Sequence, residues 1–330
     1  MKILVLGGAG YIGSHTVYHL IEHGYDVAIV DNLQTGHLWA VHPEARFYEG
    51  DIRDRAFLDT VFEAEGSVDA IIHFAACSLV GESMTDPLKY YNNNLHGTEV
   101  MLGSMIAHGV KNIVFSSTAA TYGEPENIPI LESDRTLPTN PYGETKLSME
   151  KMFHWASVAH GIRFVSLRYF NACGAHPTEN IGEAHAPETH LIPIILQVAN
   201  GMRDKIMMYG DDYDTPDGYC VRDYIHVMDL AQAHRLAVEY LMAGNDNNIF
   251  NLGNGVGFSV KEVVECARTV TGHPIPAENA PQRPGDPAVL VASSEKAKEI
   301  LHWDPEYADL SQIIGTAWKW HQSYKGEPKE

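Results

Sequence analysis

The 330-residue chain reads as an α/β protein built on a doubly wound parallel sheet. Three observations carry that expectation: short apolar runs without alternation, helical patterns between them, and a glycine-rich turn straight after the first run. The runs cover residues 2–6, 27–30, 70–74, 113–116 and 164–167. Each is apolar almost throughout, the pattern of a strand covered on both faces. Helical stretches at 11–23, 55–65, 93–108 and 142–160 separate them. Strand, helix and strand in repetition imply right-handed crossovers.

After Asn171 the texture changes. Segments 172–190 and 210–221 are loop-like and 273–288 is proline-rich, with helices expected near 191–201, 229–242, 259–270 and 310–323. The expected division is a sheet domain over 1–171 and a smaller, mixed α/β domain over 172–330 that carries specificity in its loops. A strand near 249–252 is free to return to the first sheet.

Composition narrows the function classes. Hydrophobic residues at 45% and charged residues at 20% belong to a chain with a full core, which excludes wholesale disorder. With 43 acidic against 23 basic side chains the net charge is −20, and such a surface repels nucleic acid and anionic membranes. The 18 histidines make that charge depend on pH. Cys77, Cys173, Cys220 and Cys266 are widely spaced, with no C-x-x-C pair, so no disulfide framework is expected. The apolar run before the first glycines is too short for a signal peptide, and no stretch reaches the length of a membrane span. The expected location is the cytoplasm.

Gly7, Gly10 and Gly13 form a G-x-x-G-x-x-G turn between the first strand and first helix, with Tyr11 and Ile12 inside it. Such a Rossmann-type turn lets a pyrophosphate approach bare backbone at a helix N-terminus. Asp31 ends the second strand, where a carboxylate accepts from an adenosine ribose diol or, alternatively, caps the next segment. Its charge would repel a 2′-phosphate, so NAD is expected over NADP. Asp51 and Ile52 close the third strand, and Phe74, Ala75 and Ala76 the fourth, at the same sheet edge.

Tyr142 and Lys146 stand four apart on a helix opened by Pro141, so both face one way. An ammonium beside a phenol is expected to lower its pKa and make it a general base. Thr118, at the end of the fifth strand, would share the proton traffic.

This constellation resembles the extended short-chain dehydrogenase/reductase family and, within it, the UDP-hexose 4-epimerases. The segments that carry the likeness are GGAGYIGSH (7–15), SSTAATYG (116–123), PYGETK (141–146), RYFNACGAH (168–176), RDYIHVMDLA (222–231) and RPGD (283–286). Dehydratases of the same superfamily place an Asp-Glu pair after the strand-end hydroxyl, where this chain has Ala119 and Ala120. The resemblance implies interconversion of UDP-galactose and UDP-glucose. Tyr142 takes the 4-hydroxyl proton as hydride leaves C4 for bound NAD, the keto sugar turns, and hydride returns on its other face. Lys146 holds the nicotinamide ribose, and Asn32, Asn93 and Tyr169 join the cofactor set. Asn171, Arg222 and Arg283 take the diphosphate, Tyr209 covers uracil, Asp286 accepts from a ribose hydroxyl, and His190 and Leu191 flank the uridine. For the arginines, ordinary ion pairs are the alternative. Residues 172–330 would thus be the UDP-sugar-binding domain.

Three departures from the family stand out. Ser78 replaces a lysine that some relatives place near the cofactor pyrophosphate. His190 replaces a common asparagine, and Leu290 replaces a tyrosine at the pocket floor, which would leave room for an N-acetyl group. Other readings remain open: a 4-epimerase of a UDP-pentose or UDP-uronate, or a silent NAD sensor.

His15, His19 and His23 recur every four residues, but no carboxylate or cysteine completes a ligand set with them, and no metal is expected. Trp318, Trp320 and His321 read as packing of a last helix. Met101, Leu102, Met105, Ile106, Met149, Met152, Phe153 and Ala156 give two long helices apolar faces that cover the sheet. In the resembled family those helices also form a homodimer.

Overall fold

The computed structural model describes residues 1–283 and 286–324, so the middle of the RPGD segment lies outside it. Along the first half the elements are β1 (Lys2–Leu6), α1 (Tyr11–Glu22), β2 (Asp26–Asp31), β3 (Arg46–Glu49), α2 (Arg55–Glu65) and β4 (Ala70–His73). Then come α3 (Val80–Thr85), α4 (Pro87–Tyr90), α5 (Gly97–Ala107), β5 (Asn112–Thr118), α6 (Pro141–His160) and β6 (Arg163–Tyr169). The five apolar runs fall in strands, apart from Phe74 just past β4, because their side chains are buried on both faces. The ends follow local chemistry. Asp54 caps α2 on the Phe57 N–H, and Asn140 caps α6 on the Gly143 N–H. Pro141 opens α6 and Gly161 (φ 67°) closes it.

The helix expected over 93–108 is corrected. It is broken by a wide π turn, Tyr91–His96, before α5. That turn seats the buried Asn94, whose amide pairs with the Cys77 backbone in both directions (2.8 and 3.1 Å) and donates to Thr145 Oγ1 at 3.0 Å. A side chain tied across three segments is the kind of constraint that such bulges accommodate.

The second half continues with β7 (Asn171–Cys173), α7 (Leu191–Ala199), β8 (Ile206–Tyr209), β9 (Val221–Arg222), β10 (Tyr224–His226) and α8 (Val227–Met242). It ends with β11 (Asn248–Leu252), β12 (Phe258–Ser259), α9 (Val260–Thr271), β13 (Ala277–Ala280), β14 (Val289–Leu290), α10 (Glu295–Leu301) and α11 (Leu310–Ser323). α10 is an addition to the helices read from sequence.

One seven-stranded sheet has the order β3-β2-β1-β4-β5-β6-β11, every neighbour parallel. β11 therefore does return to the sheet, beside β6. The order reverses direction between β1 and β4, and ligands of such sheets sit outside that crevice. α1 and α8 cover one face, around Val17, Leu20, Leu230 and Val238; α2, α5 and α6 cover the other, around Phe62, Met101, Met149 and Phe153. A separate cluster joins α7, α9 and α11 through Ile195, Val263 and Ile313. Trp320 and His321 are buried as expected. All four cysteines are free thiols. Among the described residues no helix is long and apolar enough to cross a membrane.

Candidate active site

The glycine turn is a close fit to its surroundings. Gly7 has φ +83°, and a Cβ on Gly13 would lie 2.1 Å from the Gly7 carbonyl oxygen. The turn thus brings bare backbone to the N-terminus of α1, where N–H groups and the helix dipole favour a phosphate. Asp31, at the end of β2, is buried and accepts from Ala9 N at 3.0 Å and Leu33 N at 2.8 Å. Burial raises its pKa and those two bonds oppose the rise. Asp51 lies just beyond β3. It is clamped by Arg53 (2.6 and 2.9 Å) and touched by Asn32 at 3.2 Å, and the Arg53 bonds hold it down at about 2. Asp31, Asn32 and Asp51 thus meet at one sheet edge. Ile52 packs against Gly97, and the Phe74 and Ala75 N–H groups both donate to Leu6 O at the end of β1. A cradle that a Cβ would fill, beside carboxylates that accept from a diol but repel a third phosphate, fits NAD.

The chemical group lies at the next strand end. Lys146, buried on α6, donates to Ser116 O at 2.9 Å, and the Thr118 hydroxyl lies near enough to the Tyr142 phenol to favour its ionised form. Thr118 Oγ1 also accepts from Ala120 N at 3.1 Å, which fixes its rotamer. Tyr169, at the end of β6, bonds the Ser116 hydroxyl. The expected pKa effect is corrected, however. The Lys146 ammonium lies 6.0 Å from the Tyr142 ring centroid and directs its bond to Ser116, not to the phenol. Burial therefore dominates: it raises Tyr142 against the Thr118 hydroxyl, and lowers Lys146 to about 7 against the pull of Cys77 and Glu150.

The remaining candidate residues gather at the other side. Arg222 is ion-paired with Asp286 at 2.5 Å, the ordinary pair that was the alternative for the arginines. Arg283 lies 4.0 Å over the Tyr209 ring, and Asp286 N donates to Arg283 O at 3.2 Å. Leu290 is half-buried and pairs with Arg222 between β14 and β9. These five form one group. Asn171 is exposed at the start of β7, and its N–H donates to Asp223 O at 3.1 Å. Asn93 lies in the π turn and donates to Asn94 Oδ1 at 3.1 Å. Tyr11 sends its hydroxyl across to Gly174 O at 2.6 Å. Ser78 is exposed.

His190 is engaged by two carboxylates. It stands at the N-terminus of α7 just before Leu191, with Nδ1 2.9 Å from Glu183 and 3.1 Å from Glu188. Burial alone would lower its pKa, but the bonds to those carboxylates raise it to about 10.

Sequence reading missed several supports. Glu150, one turn beyond Lys146, accepts from Ser117 Oγ at 2.5 Å and from Arg168 at 2.6 and 3.0 Å, tying α6 to β5 and β6 from inside. Asn94 braces the Cys77 segment beside α6, and Glu183, His185 and Glu188 surround His190. Only the last carried a sequence signal, the spacing E-x-H-x-x-E-x-H over 183–190.

Fold and site together define an NAD-dependent enzyme, with a tyrosine and a lysine four apart on one helix at the strand ends. Residues 3–253 match the NAD dependent epimerase/dehydratase family, and the chain belongs to it. It is 61% identical over 324 residues to a UDP-glucose 4-epimerase of Halalkalibacterium halodurans, covering 98% of this chain and 96% of that protein. Among solved structures, a UDP-glucose 4-epimerase superposes with a TM-score of 0.97 at 57% identity over 100% of both chains. The UDP-glucose 4-epimerase from Brucella ovis in complex with NAD does so at 0.94 and 48%, over 96% of this chain and 97% of that one. The doubly wound fold and the NAD expectation are both borne out.

Proposed function

We propose that the chain interconverts UDP-galactose and UDP-glucose by inverting the sugar at C4. The observation that carries this reading is the half-buried Tyr142 next to Thr118 and the buried Lys146, at the ends of strands that also form the NAD cradle. Likeness to UDP-glucose 4-epimerases across nearly the whole chain supports it.

Gly7, Gly10, Tyr11, Ile12, Gly13, Asp31, Asn32, Asp51, Ile52, Phe74–Ala76, Asn93, Lys146 and Tyr169 hold the cofactor. NAD, when bound there, supplies reversible two-electron oxidation at sugar C4. Tyr142 accepts the 4-hydroxyl proton and later returns it. Because burial disfavours a standing phenolate–ammonium pair, the Thr118 hydroxyl passes the proton instead of an open charge being held. Ala119 and Ala120 leave no acid–base pair for eliminating water. Asn171, Arg222 and Arg283 bind the diphosphate, Tyr209 and Leu191 the uridine, and Asp286 a ribose hydroxyl. Arg222 must then exchange part of its ion pair for phosphate, which suits its planar fork. Leu290 leaves room for an N-acetyl group, so UDP-N-acetylglucosamine is a second substrate. Residues 1–171 form the NAD domain, joined by β11, and residues 172–330 the UDP-sugar domain. The enzyme works in the cytoplasm.

The protein acts as a homodimer through α5 and α6. Ile106, Trp155 and Val158 are exposed on them, Trp155 by 66%, and Leu102, Ile106, Met152 and Trp155 line one apolar groove. Sedimentation velocity at micromolar concentration should show a dimer that Trp155→Glu dissociates; a monomeric native protein overturns this part.

The function is tested by incubating the protein with UDP-galactose and reading UDP-glucose, without added reductant. Equilibration is expected, with Tyr142→Phe slower by roughly 100-fold or more. Stoichiometric loss of NAD would mean a dehydrogenase.

A further inference from the structure

We propose that Glu183, His185, Glu188 and His190 bind one divalent transition-metal ion, with zinc the best match, as a structural site. One ligand atom from each lies within 4.8 Å of the other three. His190 Nδ1 is 2.9 Å from Glu183 Oε1 and 3.1 Å from Glu188 Oε1; His185 Nδ1 is 3.3 Å from Glu183 Oε1 and 3.6 Å from Glu188 Oε2. A tetrahedron built on zinc bonds of 2.0–2.2 Å has edges of about 3.3–3.6 Å, so the two His190 pairs must open slightly and any pair as wide as the 4.8 Å limit must close by about 1 Å around an ion. Two imidazoles and two carboxylates are a zinc-type donor set, whereas calcium and magnesium call for more oxygens.

Two further observations point to a shared centre. His185 Nδ1 is shielded from solvent yet has no aligned hydrogen-bond partner, although carboxylate oxygens lie within 3.6 Å. A ring nitrogen directed between oxygens, at none of them, is what a common ion requires. Both carboxylates are also buried, at 5% and 8% exposure, and their ion-pair partners among the described residues are these two imidazoles, with no lysine or arginine. Two buried negative charges need an equal positive charge close by, and a divalent ion supplies it at one point.

The surroundings are built to hold the ligands. Glu188 Oε1 accepts the Thr189 and His190 N–H groups at 2.8 Å each, which fixes the carboxylate as outer-shell bonds do. Ala184 O is 2.7 Å from His37 Nε2, and the Tyr11 ring stands edge-on to His185. The ion would therefore staple the 183–190 loop between the glycine turn and the start of α7. Four protein ligands leave no open position, which marks a structural and not a catalytic ion. His190 then serves the ion in place of uridine.

The test uses tag-free full-length protein from zinc-supplemented culture, with metal content and melting as readouts that do not depend on turnover. About one zinc per chain is expected, and cobalt loading should give the intense visible bands of tetrahedral Co²⁺. Chelator-stripped protein should melt lower and recover on adding zinc. Glu183→Gln and the His185→Ala/His190→Ala pair should weaken zinc binding by at least roughly 100-fold. His19→Ala/His23→Ala, in the last turn of α1 and just beyond its end, should leave it unchanged. If a variant does not fold, zinc titration of the stripped native chain decides alone. Substoichiometric metal without saturable binding, or unchanged binding in the cluster variants, overturns the site and leaves two imidazolium–carboxylate pairs.

Discussion

At the scale of single residues, the site works by placing charge where water is scarce. Asp31 is held by two backbone N–H groups, so its charge is fixed in position at the end of β2, beside the glycine turn. Asp31→Asn keeps the shape and removes the charge; NADP affinity relative to NAD is expected to rise roughly tenfold, measured by titration calorimetry with each cofactor. An unchanged ratio would assign the selection to Asp51. Glu150 makes the opposite point, since its carboxylate compensates the buried Arg168. Glu150→Gln should cost about 3–5 kcal/mol in urea unfolding by stranding that guanidinium, and adding Arg168→Met should recover much of the loss. Tyr142, Lys146 and Thr118 were legible in the sequence because a helix spacing and a strand end bring them together. Their pKa directions were not, since these depend on burial and on Lys146 choosing the Ser116 carbonyl.

At the scale of elements, the turn between β1 and α1 is the tightest local fit. Gly13→Ala puts a methyl 2.1 Å from a backbone oxygen that no side-chain rotation can relieve. The turn must open, and the variant is expected to lose NAD on gel filtration while keeping its far-ultraviolet circular dichroism. Retention of NAD by a folded variant would mean that the turn has slack. Strands and the long helices could be read ahead because periodicity and caps are local signals. The π turn could not, because Asn94 bends the helix for partners 17 and 51 residues away. The Glu183–His190 cluster had a local spacing, yet its meaning needs the loop's fold to close four side chains on one point.

At the scale of the molecule, the histidine excess acquires a role in stability. His15, His73 and His226 are buried and lowered to about 3, and His234 to about 4, all mainly by desolvation. A depressed folded pKa means that the unfolded chain takes up protons first, so stability falls as pH drops below the unfolded value near 6.5. Asp223 and Asp229 act in the opposite sense: burial raises both to about 6, so each favours folding as pH falls below that value. Four histidines outweigh two aspartates. Unfolding free energy should therefore decline between pH 6 and 5 by on the order of 3 kcal/mol, seen as a falling urea midpoint. A flat midpoint there would mean that these imidazoles take up protons while folded. The return of β11 to the sheet has a consequence of another kind, in the order of synthesis. When residue 171 leaves the ribosome, the growing chain has six of the seven strands, with the β6 edge unpaired and α1 still lacking α8. Until about eighty more residues emerge, the nascent protein carries an open edge able to template pairing with a neighbour. The enzyme's first half cannot finish folding before about half of its second half has been made.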